Sequence, residues 1–217
     1  MNDSRIEKKF VLGKYKEDFL TKFLLINCFT KHFANRTINS IYLDTLNYDF
    51  AKDNINGVSE RKKIRLRWYD DELNKIFIEE KNKKNFKVWK DIDEIKPTNI
   101  KENLVKSLED HLKNNSISKL ANFNYNFVLK TNYKRSYWIS DDRNIRATID
   151  TDINASSFRQ MKSKVNLPET ILEFKFSPKY ETYFRSFFNN KSYQLRSQKY
   201  SKYIRSFTAL ENSGMIY

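Results

Sequence analysis

Charged and apolar positions alternate along several short segments of the chain. In one of them, Arg65 and Arg67 alternate with Leu66 and Trp68. Successive side chains of a β-strand point to opposite faces, so the two arginines share one face and the apolar pair covers the other. The same alternation recurs at residues 5–10, 76–81, 145–150 and 172–175. These faces combine many cations with a few carboxylates, and the pattern predicts that they surround a strongly anionic ligand.

Longer patterns predict the order of strands and helices. Apolar residues at helical spacing predict an amphipathic helix over 16–33, and leucines at every fourth position predict another over 101–114. Further helices are predicted over 179–190, beginning after Pro178, and over 195–211. Strands are predicted at 5–12, 38–45, 61–69, 75–82, 86–92, 125–138, 143–152 and 169–177.

Many long strands with few helices favour an α+β fold, in which an antiparallel sheet closes into a barrel and helices pack outside it. The polar stretch 154–166 is predicted to be a loop between two strands. The 217 residues contain no internal repeat, low-complexity tract or linker. We therefore predict a single domain over residues 1–217.

The charge balance indicates a class of partner. A net charge of +14 predicts a polyanion: nucleic acid, anionic lipid or polyphosphate. The alternative explanation for the abundant lysine and asparagine is a biased base composition in the source genome. No apolar stretch is long enough to cross a bilayer and no N-terminal leader is visible, so we expect a cytoplasmic protein with no membrane partner.

The sequence also argues against several kinds of chemistry. The single cysteine, Cys28, excludes an internal disulfide and is predicted to be a buried thiol in the first helix. The two histidines, His32 and His111, lie far apart in sequence and do not indicate a zinc site. Three glycines cannot supply a glycine-rich phosphate loop. The charged strand faces remain as the candidate site.

Arginine and lysine on strand faces are suited to phosphate. Arginine binds phosphate oxygens through a planar fork, and lysine supplies a compact point charge. A carboxylate among these cations is suited to Mg²⁺ or Mn²⁺ that bridges phosphate oxygens. For any one strand the alternative is a solvated basic face, but the repetition of the pattern favours a binding site.

Several segments resemble the motifs of one superfamily. Arg5–Phe10 is similar to the first-strand signature of the triphosphate tunnel metalloenzymes, and Ser40–Thr45 to their second strand. Arg65–Tyr69 and Glu79–Lys81 resemble their Arg-x-Arg and Glu-x-Lys strands. Later segments resemble the VTC branch, the polyphosphate polymerase domain of the vacuolar transporter chaperone complex: Tyr133–Arg135, Ile145–Thr151, Leu172–Lys175 and Lys199–Tyr203.

The resemblance implies a triphosphate tunnel fold, an antiparallel barrel whose hydrophilic tunnel binds a nucleoside triphosphate and a growing polyphosphate chain. It implies that Glu173 holds the divalent metal, Mn²⁺ or Mg²⁺. Lys199 and Lys202, three apart on the last predicted helix, would reach phosphate at the tunnel end. Asp150 is interpreted as an ion-pair partner in preference to a second metal ligand. The implied phosphate-binding residues are Lys9, Arg65, Arg67, Lys81, Arg135 and Arg146, and all of these except Lys9 are also implied to be catalytic.

The implied reaction transfers the γ-phosphoryl group of ATP to a polyphosphate chain. Arg5 and Glu7 stand where the triphosphatase and adenylate cyclase branches carry two alternating glutamates, which favours the polymerase branch. The alternatives are a tripolyphosphatase or nucleoside triphosphatase using the same tunnel, and a non-catalytic polyphosphate- or nucleotide-binding module. A nucleic-acid-binding barrel is disfavoured, because Glu79, Asp150 and Glu173 share faces with the cations.

Overall fold

The computed structural model describes residues 5–14, 16–85, 87–95, 125–158, 164–188 and 195–216. The strands in these ranges are β1 (Ile6–Leu12), β2 (Phe29–Asp44), β3 (Glu60–Tyr69), β4 (Ile76–Lys84), β5 (Lys87–Ile95), β6 (Asn126–Ser140), β7 (Arg146–Ser157), β8 (Val165–Asn166) and β9 (Thr170–Phe176). The helices are α1 (Glu17–Ile26), α2 (Asp49–Ile55), a 3₁₀ turn (Pro178–Tyr180), α3 (Glu181–Ser186) and α4 (Lys202–Asn212).

The strands hydrogen-bond in the order β1-β9-β7-β6-β2-β3-β4-β5, and β8 pairs with β7. The pairs β1–β9, β7–β9, β2–β3, β3–β4 and β4–β5 are antiparallel. Each predicted strand overlaps an observed one. The predicted α+β class with an antiparallel sheet is therefore confirmed. No helix among the described residues is both long and apolar enough to cross a membrane.

The chain divides into two compact units. The first unit contains residues 1–37, 133–153 and 166–201, and the second contains residues 38–132, 154–165 and 202–217. Strands β2, β6, β7 and β8 contribute residues to both units. A single domain over residues 1–217 stays a prediction.

The first unit has an aromatic core on one side of β1, β7 and β9. Leu20, Phe23 and Leu24 of α1 are fully buried there, as is Phe174 of β9. The ring of Phe174 meets that of Phe10 edge to face, with 5.9 Å between centroids. Such aromatic pairs add about 0.5–1.5 kcal/mol to the stabilisation from burial. This packing leaves the opposite face of the same strands to polar side chains.

Two apolar clusters lie among the described residues of the second unit. Ile64, Leu66 and Trp68 of β3 are buried in one of them, as their alternation predicts. The other cluster joins α4 to β2 through Tyr203 and Tyr42, whose rings stack with 4.8 Å between centroids. The charged side chains of β3 lie on the face opposite its buried residues.

The first helix is shorter than predicted. It ends at Ile26, and the chain then forms β2. Cys28 has a φ of 59°, a left-handed conformation in which an α-helix cannot continue. Phe29 and Phe33 are four residues apart, so helical periodicity extends misleadingly into the strand. Cys28 is exposed in this turn, and the predicted burial of its thiol is wrong.

The polar stretch predicted as a loop contains strand residues. Strand β7 continues through Ser157, and Val165–Asn166 forms β8. Polar side chains at the end of β7 alternate with Ile153 and Ala155, which are both 1% exposed. The loop prediction is wrong for these residues, because polar composition does not exclude a strand whose alternate side chains are buried.

The last helix begins later than predicted, at Lys202 in place of residue 195. Before it, the backbone N–H of Gln198 donates to the carbonyl oxygen of Lys9 at 2.8 Å. This bond to β1 belongs to an extended segment, and Lys199 consequently lies outside the helix. The helix predicted over 179–190 is reduced to the 3₁₀ turn and α3 within the described residues, and the one predicted over 101–114 lies outside them.

Helix α2 has no counterpart in the sequence prediction. The carboxylate of Asp44 accepts the backbone N–H groups of Phe50 and Ala51, each at 2.9 Å, and also the hydroxyl of Tyr203. These bonds satisfy donors in the first turn of the helix. Because Asp44 lies several residues before the helix and not at its N-cap, it provides no local start signal.

Candidate functional site

A charged face in the second unit lies opposite the buried residues of β3. In the register of the sheet, Arg65 lies opposite Glu79 of β4 and Tyr42 of β2, and Arg67 lies opposite Ser40. Directly opposed residues of antiparallel strands share a face. The residues that form ion pairs there, called the Glu79 face below, are Arg65, Arg67, Glu79 and Lys90.

Glu79 is 6% exposed and holds three cations together. The guanidinium of Arg65 donates a hydrogen bond to the Glu79 carboxylate. Arg67 Nη1 lies 3.8 Å from this carboxylate, and Lys90 Nζ lies 2.8 Å from it. Burial alone raises the pKa of Glu79, but the charges of Arg65 and Arg67, with the hydrogen bond and charge of Lys90, lower it to about 2. Glu79 is therefore ionised at neutral pH, and it fixes the arginines in place.

Glu79 is expected to make stability depend on acid pH. Its pKa falls from 4.5 to about 2 on folding. The resulting stabilisation, on the order of 3 kcal/mol, is fully present above pH 4.5 and is lost as pH falls towards 2. The difference in unfolding free energy between the wild type and Glu79→Gln should therefore become smaller as pH falls. Urea denaturation at several pH values between about 3 and 7 measures this difference. Glu60→Gln is the control, because its ion pair with Lys84 is exposed. A loss of stability independent of pH would contradict this role.

A row of lysines crosses three strands of the second unit beside Glu79. Lys81 is exposed and lies opposite Lys63 of β3 and Lys90 of β5. Burial lowers the pKa of Lys90, and the charges of Arg65 and Arg67 lower it further. The hydrogen bond and charge of Glu79 oppose this shift but do not cancel it. Like charges directly opposite one another destabilise a sheet. The row is therefore suited to a multivalent anion, which would offset this repulsion.

Tyr42 connects the Glu79 face to the last helix. Its hydroxyl oxygen accepts a hydrogen bond from Arg65 Nη1 at 3.5 Å, and its ring stacks on Tyr203 of α4. Since Tyr42 and Arg65 share a face of the sheet, α4 packs on that face. The helix begins at Lys202, one of the two lysines that the resemblance assigns to phosphate.

A second charged face lies in the first unit, opposite the aromatic core. Glu173 of β9 lies opposite Lys9 of β1 and Thr148 of β7. Lys9 Nζ also donates to the carbonyl oxygen of Tyr200 at 3.2 Å. The residues considered on this face, called the Glu173 face below, are Glu7, Lys9, Arg135, Arg146, Asp150, Glu173 and Lys175.

Arg135 and Asp150 form a bidentate ion pair. Arg135 Nε lies 2.6 Å from Oδ1 of Asp150, and Nη2 lies 2.8 Å from Oδ2. Burial alone lowers the pKa of Arg135, but Asp150, with smaller effects from Tyr133 and Glu173, raises it well above its ordinary value. Both carboxylate oxygens of the fully buried Asp150 bind Arg135. This geometry agrees with the interpretation of Asp150 as an ion-pair partner.

Glu173 is the residue that the resemblance assigns to the metal. It is 7% exposed, and its carboxylate lies 3.0 Å from Lys175 Nζ, which is also 3.6 Å from Glu7. Within the described ranges, no group of three or more histidine, cysteine, aspartate or glutamate side chains is placed to hold a metal. Mg²⁺ often takes only one or two carboxylates and completes its coordination with phosphate and water. The carboxylate oxygens of Glu173 are hard donors, which fit Mg²⁺ or Mn²⁺.

The remaining predicted site residues lie in different settings. Arg146 is exposed on β7, opposite Lys175. Lys199 is exposed in the extended segment before α4, and Lys202 is the first residue of that helix. The prediction that both lysines lie on one helix is therefore wrong, because the segment before Lys202 bonds to β1.

Sequence reasoning assigned no role to two cations of these faces, Lys90 and Lys175. Lys175 alternates with Glu173 in a predicted strand, and this spacing already places both on one face. Lys90 gives a weaker signal because its neighbours on the same face, Val88 and Ile92, are apolar but exposed. The alternation of polarity therefore does not distinguish the two faces of β5.

Solved structures of other proteins share this fold at low sequence identity. A putative adenylate cyclase from Bacillus halodurans is 14% identical, with a TM-score of 0.59 over 94% of this chain and 98% of that one. A putative adenylyl cyclase from Hippeastrum, described as having a dominant triphosphatase activity, is 15% identical. It has a TM-score of 0.55, and the alignment covers 99% of this chain and 98% of that one. A putative adenylate cyclase from Vibrio parahaemolyticus is 14% identical, with a TM-score of 0.54 over 96% of this chain and 100% of that one.

These neighbours place the chain in the class of triphosphate tunnel folds. The sequence matches the VTC domain family over residues 4–211, which is nearly its whole length. The protein therefore belongs to the VTC domain family, as its motifs indicate. No curated protein matches the sequence significantly.

Proposed function

We propose that this protein is a phosphotransferase that moves the γ-phosphoryl group of ATP onto the end of a polyphosphate chain. The observation that carries the proposal is that two buried carboxylates, Glu79 and Glu173, each lie among arginine and lysine side chains on a strand face. Membership of the VTC domain family supports this class of activity. A cytoplasmic location, where ATP is available, stays a prediction.

Arginines held in place before the substrate arrives are suited to phosphoryl transfer. Glu79 holds the side chain of Arg65 in place, and Asp150 holds that of Arg135. Substrate binding therefore costs little conformational entropy at these two side chains. Lys81 adds a point charge beside the first pair. The proposed phosphate-binding residues are Lys9, Arg65, Arg67, Lys81, Arg135, Arg146, Lys199 and Lys202.

We assign the divalent metal, Mn²⁺ or Mg²⁺, to Glu173. When bound, such an ion supplies positive charge to the transferring phosphoryl group. Lys175 Nζ lies 3.0 Å from the Glu173 carboxylate and neutralises part of its charge. The acceptor is the terminal phosphate of a chain that is already anionic, so no side chain has to remove a proton. The arginines and lysines orient donor and acceptor and neutralise the charge that spreads over the phosphoryl oxygens.

A triphosphatase is the second candidate, because one structural neighbour is described as having a dominant triphosphatase activity. It would use the same cations and Glu173, with water as the acceptor. A non-catalytic polyphosphate- or nucleotide-binding module would use the same cations without turnover. The two enzymatic functions differ in their products, and the binding module forms none.

Incubation with ATP and Mn²⁺ or Mg²⁺, followed by gel separation of phosphate products and measurement of ADP, distinguishes these functions. The proposed transferase forms ADP together with chains of increasing length. A triphosphatase releases orthophosphate or pyrophosphate and forms no chains. A protein that binds polyphosphate but leaves ATP intact would be a binding module.

Polyphosphate is expected to bind much more tightly than single-stranded DNA of equal charge. The two charged faces combine cations with carboxylates, which suit a metal-phosphate chain but repel a nucleic-acid backbone. Both interactions weaken with salt, so affinities must be compared at one fixed ionic strength, by calorimetry or competition. Equal affinity for the two polyanions would indicate a plain basic surface.

A further inference from the structure

A cavity of about 260 Å³ lies within the second unit. Its walls are formed by Lys130, Asn132, Asn154, Ala155, Ser156 and Lys164. Two of these six residues are lysines, three carry an amide or hydroxyl group, and none is acidic. The volume is near the lower end of the range for small-molecule sites, about 300–1,000 Å³, and it suits a compact ligand.

The cavity opens on a different face of the sheet from Arg65 and Arg67. Lys130 Nζ lies 5.3 Å from the ring centroid of Trp68. Trp68 follows Arg67 directly on β3 and is buried in the apolar cluster on the other face of that strand. Consecutive strand residues point to opposite faces, so Lys130 lies on the apolar side and the arginines lie on the charged side. The cavity is thus separate from the Glu79 face.

Polar donors reach the cavity from two neighbouring strands. Lys130 and Asn132 are two residues apart on β6, and Asn154 and Ser156 are two apart on β7, so each pair lies on one face of its strand. Ser156 is 6% exposed. Ammonium, amide and hydroxyl groups can all donate hydrogen bonds to oxyanions.

The cavity brings two positive charges together partly out of water. Burial, and then the charge of Lys164, lowers the pKa of Lys130. Among the described residues, neither lysine forms an ion pair with a carboxylate. An anion in the cavity would replace lost hydration and offset the repulsion between the lysines.

We propose that this cavity is a second anion-binding site, which takes a compact oxyanion such as inorganic phosphate or the phosphate group of a small ester. Lys130 and Lys164 supply charge, while Asn132, Asn154 and Ser156 supply neutral donors. The proposal rests on the cavity alone and does not depend on the phosphotransferase activity.

Trp68 offers a local reporter for this site, since its ring lies beside Lys130. Titration with orthophosphate at fixed ionic strength is expected to change Trp68 fluorescence, and Trp68→Phe should remove that change. Lys130→Gln should weaken phosphate binding about tenfold or more. Lys134→Gln, on the same strand and in an exposed pair with Asp152, is the matched control and should shift affinity less than about twofold.

Further variants distinguish binding at this cavity from binding at the Glu79 face and from an effect of misfolding. Arg65→Gln should leave the Trp68 response to phosphate unchanged. Lys164 is exposed, so Lys164→Gln should fold normally and still weaken binding. Glycerol phosphate in place of orthophosphate shows whether the site also accepts an ester, and binding of either supports the proposal. No Trp68 response to either compound, or equal effects of Lys130→Gln and Lys134→Gln, would overturn it.

Discussion

Glu173→Gln is expected to abolish metal-dependent turnover while polyphosphate binding without metal is retained or becomes tighter. The substitution conserves volume and removes the proposed metal ligand, so turnover should fall by about a hundredfold or more. Binding without metal should not weaken, because a buried carboxylate that repels phosphate is replaced by a neutral amide. Turnover with Mn²⁺ or Mg²⁺ and polyphosphate affinity in chelator are the two measurements.

A purely structural role for Glu173 has a different signature. Glu173 pairs with Lys175 at 3.0 Å, and loss of this pair alone would lower the melting temperature. Turnover would then scale with the amount of folded protein. Glu181→Gln is the matched control, because Glu181 forms an ion pair of similar length with Arg185 on the exposed surface of α3. A folded Glu173→Gln variant with full activity would remove this residue from the mechanism.

Arg65→Ala is expected to weaken polyphosphate binding itself, by roughly ten- to a hundredfold. A hydrogen bond between charged partners contributes about 1.5–3 kcal/mol, and Arg65 is proposed to bind phosphate through its guanidinium. The loss of affinity should appear both with and without metal. Glu173→Gln, in contrast, should reduce turnover without weakening metal-free binding. Calorimetric titration with polyphosphate of defined length measures it.

Arg65 also stabilises the buried carboxylate of Glu79. Arg67 and Lys90 remain on this carboxylate in Arg65→Ala, and the double variant Arg65→Ala/Glu79→Gln removes the unfavourable charge altogether. If Arg65 binds phosphate, the double variant should still bind more weakly than Glu79→Gln alone. Arg185→Ala, at an exposed ion pair, is the control for loss of one positive charge. Equal losses in Arg65→Ala and Arg185→Ala would indicate that only net charge matters.

Alternation along strands was the most dependable source of prediction. It placed Arg65 and Arg67 on the face opposite Leu66 and Trp68, and the register confirms this arrangement. The pattern works because a half-buried strand must turn every second side chain towards the core. Motif resemblance then assigned the family, which the match over residues 4–211 confirms.

The features that sequence did not predict depend on backbone conformation and on specific hydrogen bonds. Cys28 ends the first helix by adopting a left-handed conformation, although the apolar period continues past it. Helix α2 begins where Asp44, several residues earlier, accepts its N–H groups. The segment before α4 is extended, and the backbone N–H of Gln198 in it donates to the carbonyl oxygen of Lys9. The roles of Glu79 and Lys90 likewise become visible only when β3, β4 and β5 are in register.

Transfer of phosphoryl groups to polyphosphate, with the help of a divalent metal, is the activity that we propose for this protein. The most direct test is incubation with ATP labelled in the γ-phosphate, a short polyphosphate primer and Mg²⁺, followed by size separation of the labelled products. We predict label in lengthened polyphosphate, formation of one ADP for each phosphate added, and loss of both when a chelator is in excess. Label that remains in ATP, or that appears only as orthophosphate, would contradict the claim.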